Sequence, residues 1–304
     1  MFFFRKKIFQ GENWPAAKLK SEINSLPDIS RSLSGSSADE EWNERRHALR
    51  RLFLEGNLER FLTWDMITET MFVGNDPYIK QELKSLKMRP EWTSRWAPAI
   101  LEEPIGSPKK CKYYKGSSGN RIHTTSHIAH FEEWTGIRIA DIQSVIEFGG
   151  GYGCMCHQIH KFGFCGNYII IDFPELNALQ KYYLRSLSVD VVEDLDMLSN
   201  VNKKGVYCIS DIEVLSKFNY AMSGGNLFIA TWSISETGTN FREHLLSFPV
   251  IAQADYYLIT YQTVFGDVDN INFFNEWCSW QKNVTWTNFE VPHRPGSYYL
   301  FGKQ

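Results

Sequence analysis

Cysteine is scarce: six residues in a chain of 304, too few and too scattered for a disulfide scaffold. Cys154 and Cys156 sit among glycines, where a disulfide would be awkward, so a reducing, cytoplasmic setting is expected. No apolar run reaches ~18 residues, so no membrane-spanning helix is expected. The opening MFFFRKKIFQ places its charges after its apolar residues, unlike a secretory signal, and reads as a packed or frayed terminus. Positive charge is not in surplus: 32 Lys and Arg face 35 Asp and Glu, so no overall footprint for nucleic acid exists. Internal repeats and low-complexity tracts are lacking too. What remains is a soluble globular composition, 43% hydrophobic and 22% charged, which excludes disordered and fibrous classes. Aromatic residues are plentiful at 15%; they fill cores and also make platforms for ring-shaped ligands.

Residues 37–72 contain no proline and one glycine, Gly56, and apolar residues such as Leu49, Phe53, Phe61 and Leu62 recur at helical spacing. Arg45, Arg46, Arg50 and Arg51 fall mostly on the opposite side, as a solvated face paired with glutamates or as a phosphate site. Pro77 is placed to open the next helix. Prolines and glycines make 88–115 irregular, and 118–134 resumes a helical pattern. From Ser144 onward short apolar strands alternate with helices: 145–148, 168–171, 206–209, 226–231 and 256–260 are strand candidates. Two closely joined strands follow at 284–289 and 297–301. This alternation predicts a mostly parallel sheet with an antiparallel hairpin at its end. The division expected is a helical N-terminal region, 1–135, that covers the cofactor, builds the acceptor site or makes a homodimer contact, followed by an α/β domain, 136–304.

The strongest local signal is Val145-Ile146-Glu147-Phe148-Gly149-Gly150-Gly151-Tyr152-Gly153. A strand ending in acid runs into glycines that let the backbone turn sharply and approach a ligand. The dinucleotide fingerprint G-x-G-x-x-G fails here, because its third glycine would fall on Cys154 or Cys156, and no Gly-Lys-Ser/Thr follows as a phosphate loop requires. Asp172, at the end of the second strand, is placed to accept hydrogen bonds from a ribose diol.

The pattern E-x-G-x-G-x-G resembles motif I of class I S-adenosylmethionine-dependent methyltransferases. The runs Ile170-Ile171-Asp172-Phe173-Pro174-Glu175-Leu176 and Thr231-Trp232-Ser233-Ile234-Ser235-Glu236 resemble elements of a family of sugar O-methyltransferases. Its members are typically encoded among enzymes of surface polysaccharide biosynthesis. The resemblance spans about residues 144–261 and leaves the N-terminal third without a firm counterpart. It implies a class I methyltransferase sandwich, a Rossmann-like seven-stranded sheet, S-adenosylmethionine as cofactor and a sugar or glycan hydroxyl as acceptor. It further implies that Glu147 meets the cofactor's amino group and that Gly149, Gly151 and Gly153 line its methionine and ribose. Asp172 would hold the ribose, Phe173 would pack on the adenine, and Asp211 (or Asp194 or Asp196) would face the adenine amino group.

Methyl transfer to a sugar hydroxyl needs a base and an aligned oxygen. Ser233, Ser235 and Glu236 follow the fourth strand, at the sheet edge where open α/β folds bind ligands, and are candidates for substrate contact. Glu236 serves as base if burial raises its pKa, or else as an anchor or a helix start. His244 is a second candidate base, or a surface histidine. His123, His127 and His130 share one helix face; His127 is a candidate at the mouth of the site, as base, substrate contact or packing residue. A metal on these histidines would need added carboxylates that the sequence does not place, and no metal is expected. Cys154, Cys156, His157 and His160 read as packing, as do Trp277, Trp280 and Trp286. The alternatives are methylation of a small non-sugar metabolite, a nicotinamide-dependent enzyme, and a non-catalytic scaffold of the same fold in a polysaccharide-assembly complex.

Overall fold

The structure, a computed structural model, describes residues 16–29, 37–195, 204–217, 224–291 and 293–304. Seven strands form its main sheet: β1 Ser144–Phe148, β2 Asn167–Ile171, β3 Val206–Ile209, β4 Asn226–Thr231, β5 Tyr256–Gln262, β6 Thr285–Glu290 and β7 Ser297–Lys303. Their order is β3-β2-β1-β4-β5-β7-β6. The first five run parallel; β7 is antiparallel to both β5 and β6. This is the class I methyltransferase fold. The apolar runs of β1 to β5 make sense in it, because helices cover both faces of a parallel sheet. Val145 sits opposite Tyr168 on one side and Leu227 on the other. The chain moves outward from β1 through β2 to β3, then returns to β4 on the other flank of β1. The connections leaving β1 and β4 therefore diverge and open a crevice at the carboxyl edge.

The longer helices among the described residues are α1 Ala16–Ser25, α2 Ser37–Glu55, α3 Asp65–Thr70, α4 Pro77–Met88, α5 Gly119–Thr135, α6 Cys154–Lys161, α7 Pro174–Ser186, α8 Thr239–Ser247 and α9 Asn270–Trp280. The helical pattern of 37–72 is broken after Glu55. Asn57 accepts a hydrogen bond from the Glu59 amide (2.9 Å) and starts a separate turn, Leu58–Thr63. Ile212–Lys217 forms a short 3-10 helix after β3, and 218–223 lie outside the described residues.

Leu49, Phe53, Phe61 and Ile67 of the N-terminal helices belong to the same core cluster as Val145, Tyr168, Ile170 and Leu227 of the sheet. Each such fully buried side chain contributes about 2 kcal/mol, so this helical layer is fused to one sheet face. Ile146, Ile169, Phe228 and Ile259 fill the opposite face with α8 and α9. There Trp277 and Trp286 pack at 5.0 Å, while Trp280 is exposed.

Helix α5 positions much of the site. The Ser118 hydroxyl accepts from the Arg121 amide (3.1 Å) at its start, and Gly136 ends it in the left-handed region. It runs between α4 and the sheet and is buried nearly all round. Its polar residues must therefore find partners inside the protein. Arg121 does so with Glu102 (2.9 Å), Gln158 (3.0 Å) and Tyr183 (2.7 Å).

Candidate active site

A cavity of about 650 Å³ opens at the carboxyl ends of β1, β2 and β4. One wall is the loop after β1. Glu147 is buried and accepts a hydrogen bond from the Tyr168 hydroxyl on β2 (2.9 Å). Burial pushes its carboxyl up to about 8, against the pull of that hydrogen bond. Gly149 has φ +73°, and a Cβ there would lie 2.2 Å from the Ser233 Cβ, so this position requires glycine. The Ser233 hydroxyl ties the two loops together by donating to the Phe148 carbonyl.

Asp172 braces this loop from β2. The Gly151 amide (3.0 Å) and Gln180 Nε2 (3.0 Å) donate to one of its oxygens, and the Phe173 amide (2.9 Å) to the other. Burial still pushes its carboxyl up to about 7. Phe173 lines the cavity next to Trp42, with ring centroids 5.7 Å apart, and the Arg46 guanidinium lies 4.9 Å from the Phe173 ring. Arg46 and Arg50 are held by the buried Glu175 (2.9 and 2.7 Å), so this arginine pair clamps α2 to α7.

The opposite wall comes from α4, α5 and the loop after β4. Trp232 has φ +67°, a left-handed conformation costing on the order of 1 kcal/mol in a non-glycine residue. Its amide is held by the Thr260 carbonyl (2.9 Å) and hydroxyl (3.1 Å), and its buried indole Nε1 has no hydrogen-bond partner among the described residues. The His123 ring lies parallel to this indole at 6.3 Å and edge-on to Tyr78 at 5.5 Å. His123 Nδ1 is 2.8 Å from the buried Glu82 carboxylate. Burial pushes the Glu82 carboxyl up, but the charge and hydrogen bond of His123, aided by His293, outweigh it and hold it down at about 2. An ionised Glu82 can only accept, so His123 Nδ1 carries the proton and donates. His123 Nε2 is buried and has no hydrogen-bond partner among the described residues.

The cavity brings together Glu147, Gly149, Gly151, Asp172, Phe173, Ser233, Glu236 and His127 from the residues singled out in the sequence. Burial pushes the Glu236 carboxyl up to about 7, with Arg45 pulling it down and Glu41 pushing it up. His127 is kept neutral, chiefly by burial and then by His123, and its Nδ1 is engaged by the Tyr299 hydroxyl (2.7 Å). No described carboxylate pairs with it. Four expected residues stand elsewhere. Gly153, at φ +96°, starts α6 beneath the loop and faces Leu184. Asp211 is exposed and caps the turn after β3 by accepting from the Glu213 amide (3.0 Å). His244 is exposed on α8 and paired with Glu213 (2.7 Å), so it is not a base for this cavity. Ser235 is buried, with its hydroxyl oxygen 2.8 Å from the Trp232 carbonyl and 2.7 Å from Gln262 Oε1, so its single hydrogen is shared between them and it braces the loop. Asp194 is exposed, and Asp196 lies outside the described residues.

Sequence reasoning missed Glu82, Tyr78 and Arg294 as site residues. Glu82 is 41 positions from its histidine, and no spacing rule links them. Among the described residues no group of three or more His, Cys, Asp or Glu side chains is arranged to hold a metal ion, and no helix is long and apolar enough to cross a membrane. A shallower groove of about 420 Å³, lined by His157, Lys161 and Lys204, lies at the opposite sheet edge.

No protein-family model matches the chain, and no curated protein does. Solved structures resemble it distantly. Magnesium protoporphyrin IX methyltransferase from Synechocystis PCC 6803, with bound S-adenosylmethionine, is 10% identical with a TM-score of 0.40, over 74% of this chain and 97% of its own. An rRNA methylase from Streptococcus thermophilus is 14% identical with a TM-score of 0.37, over 55% of this chain and 91% of its own. The methyltransferase domain of bacterial CtHen1 is 11% identical with a TM-score of 0.39, over 60% and 97%. Likeness at this level is one of fold alone.

Proposed function

We propose that this protein is an S-adenosylmethionine-dependent O-methyltransferase that acts on a hydroxyl of a sugar or glycan. The observation that carries the reading is the pairing of two half-sites in one cavity. At one end stand a glycine loop, a buried Glu147 and Asp172 beside Phe173. At the other stands His123, backed by an ionised Glu82 and with Nε2 unpartnered.

The residues at the first end suit the cofactor. Asp172 spends only one hydrogen bond on its second oxygen, leaving acceptor capacity for a ribose hydroxyl. Phe173 and Trp42 offer aromatic surface for a base. When bound, S-adenosylmethionine would supply an electrophilic methyl group to an incoming oxygen. In its neutral form His123 would accept at Nε2 the proton that the acceptor hydroxyl loses, and Glu82 would stabilise the imidazolium so formed. Tyr78 and Trp232 flank His123 with apolar ring surface that suits the C–H faces of a sugar, and they restrict water around the reacting oxygen. Ser233, with its hydroxyl donated to the backbone, holds the loop shape.

Calorimetric titration with S-adenosylmethionine and S-adenosylhomocysteine, with Asp172→Ala alongside, tests the cofactor. Transfer of a labelled methyl group to isolated glycan and nucleotide-sugar fractions tests the acceptor. Micromolar binding lost in Asp172→Ala, with label recovered in sugar, is expected. Folded wild-type protein that binds neither compound would refute the reading and leave a scaffold of the same fold.

A further inference from the structure

Arg294 lies on the turn between β6 and β7, and its guanidinium carbon sits 4.1 Å from the Trp232 ring and 5.2 Å from the Tyr78 ring. Among the described residues that line the cavity it is the only lysine or arginine. No described carboxylate lies within ion-pairing distance of it, and its side chain donates no hydrogen bond to a described residue. Two aromatic rings therefore flank the guanidinium and leave its N–H groups without a partner among the described residues. The edge they form matches the paired oxygens of a carboxylate or a phosphate.

The same two rings hold His123, at 5.5 Å from Tyr78 and 6.3 Å from Trp232. Base and guanidinium thus border one compartment of the cavity. Of the carboxylates that line the cavity, Glu69, Asp76, Glu147, Asp172 and Glu236, none makes an ion pair with Arg294. Glu82 is buried behind His123 and engaged by it and by His293 (3.5 Å). Asp76, exposed at the start of α4, also lines the cavity but makes no ion pair with Arg294. Glu147 and Asp172 belong to the cofactor end.

We infer that the acceptor is anionic: a hydroxyl compound of sugar class whose carboxylate or phosphate is bound by the edge of Arg294 while its hydroxyl meets His123. This rests on the methyltransferase reading and narrows its substrate. The clamp sets specificity, because a neutral sugar would leave the guanidinium edge without its partner.

Protein saturated with S-adenosylhomocysteine is titrated with glucuronate, glucose 1-phosphate and glucose, in the wild type, in Arg294→Gln and in Arg294→Lys. At least one anionic sugar should bind at least about tenfold more tightly than glucose. Arg294→Gln should weaken that binding about 10- to 100-fold, the range for losing a charge-assisted hydrogen bond. Arg294→Lys should retain part of it, and S-adenosylhomocysteine binding should stay unchanged in both variants. Preference for glucuronate assigns a carboxylate partner, and preference for glucose 1-phosphate a phosphate. Equal binding of glucose, no binding of any of the three, or anion binding unchanged in Arg294→Gln overturns the inference. Should Arg294→Gln lose S-adenosylhomocysteine binding through misfolding, Arg294→Lys decides: anion affinity weaker than wild type supports the clamp, and unchanged affinity overturns it. A folded wild type that does not bind S-adenosylhomocysteine overturns instead the cofactor reading.

Discussion

Glu147→Gln separates the cost of a buried carboxyl from its use. In the free protein this side chain is 2% exposed, and burial raises its pKa from 4.5 to about 8. Each pH unit of displacement corresponds to about 1.4 kcal/mol, so full ionisation of the folded, free protein costs about 5 kcal/mol. The folded pKa lies above the unfolded one. The contribution to stability is therefore complete below about pH 4.5 and is lost as pH rises through about 8. At pH 7 about 3 kcal/mol of it is already gone. Glutamine has no proton to lose and can still accept from Tyr168. Urea unfolding should find Glu147→Gln about 3 kcal/mol more stable than wild type at pH 7, with the difference shrinking toward pH 4.5. Cofactor binding should show the converse. An ammonium group at Glu147 requires the ionised form, so binding at pH 7 should release about 0.9 proton from this group. Wild-type affinity should then rise about 50-fold from pH 6 to pH 8 beyond any rise in Glu147→Gln, whose own pH dependence cancels that of the ligand. Calorimetry of S-adenosylhomocysteine binding in buffers of different ionisation enthalpy measures the proton. Equal proton release in both proteins, with no pH-dependent gap in stability, would refute the argument.

His123→Gln should lower kcat by about 10²- to 10⁴-fold while leaving the Kd for S-adenosylhomocysteine unchanged, and Glu82→Gln should lower kcat in the same direction by less. Single-turnover methyl transfer and calorimetry measure the two quantities. His244→Ala and Asp211→Ala lie outside the cavity and should keep methyl transfer within about twofold of wild type, consistent with surface substitutions; a loss above tenfold in either would return it to the site. Gly149→Ala places a Cβ 2.2 Å from the Ser233 Cβ at φ +73°, and should cost about 2–4 kcal/mol in urea unfolding.

The sheet was legible because its strands are short apolar runs separated by turn residues, and such runs need little context. The candidates 206–209 and 226–231 match β3 and β4, and the others differ only at their ends. The strand order was less legible: nothing local to β4 says that it pairs with β1 and not β3. The glycine loop and Asp172 were visible because one backbone turn and one strand end hold them, within about 25 residues of each other. Asp211 and His244 went astray for the opposite reason. Their place depended on how the turn after β3 and helix α8 pack, and both end on the outside with Glu213.

Residue order by itself determined the alternation of strand and helix, the acidic glycine loop and the carboxylate that ends β2, since each follows from neighbours along the chain. Tertiary structure alone decided which of three histidines on one helix face meets the buried Glu82. It also decided that Arg294, near the end of the chain, stacks against Trp232 and Tyr78. The physical reason is distance: Glu82 meets His123 across two helices, and Arg294 meets Trp232 across the carboxyl edge of the sheet. Such contacts exist only once burial of the apolar faces has brought those elements together.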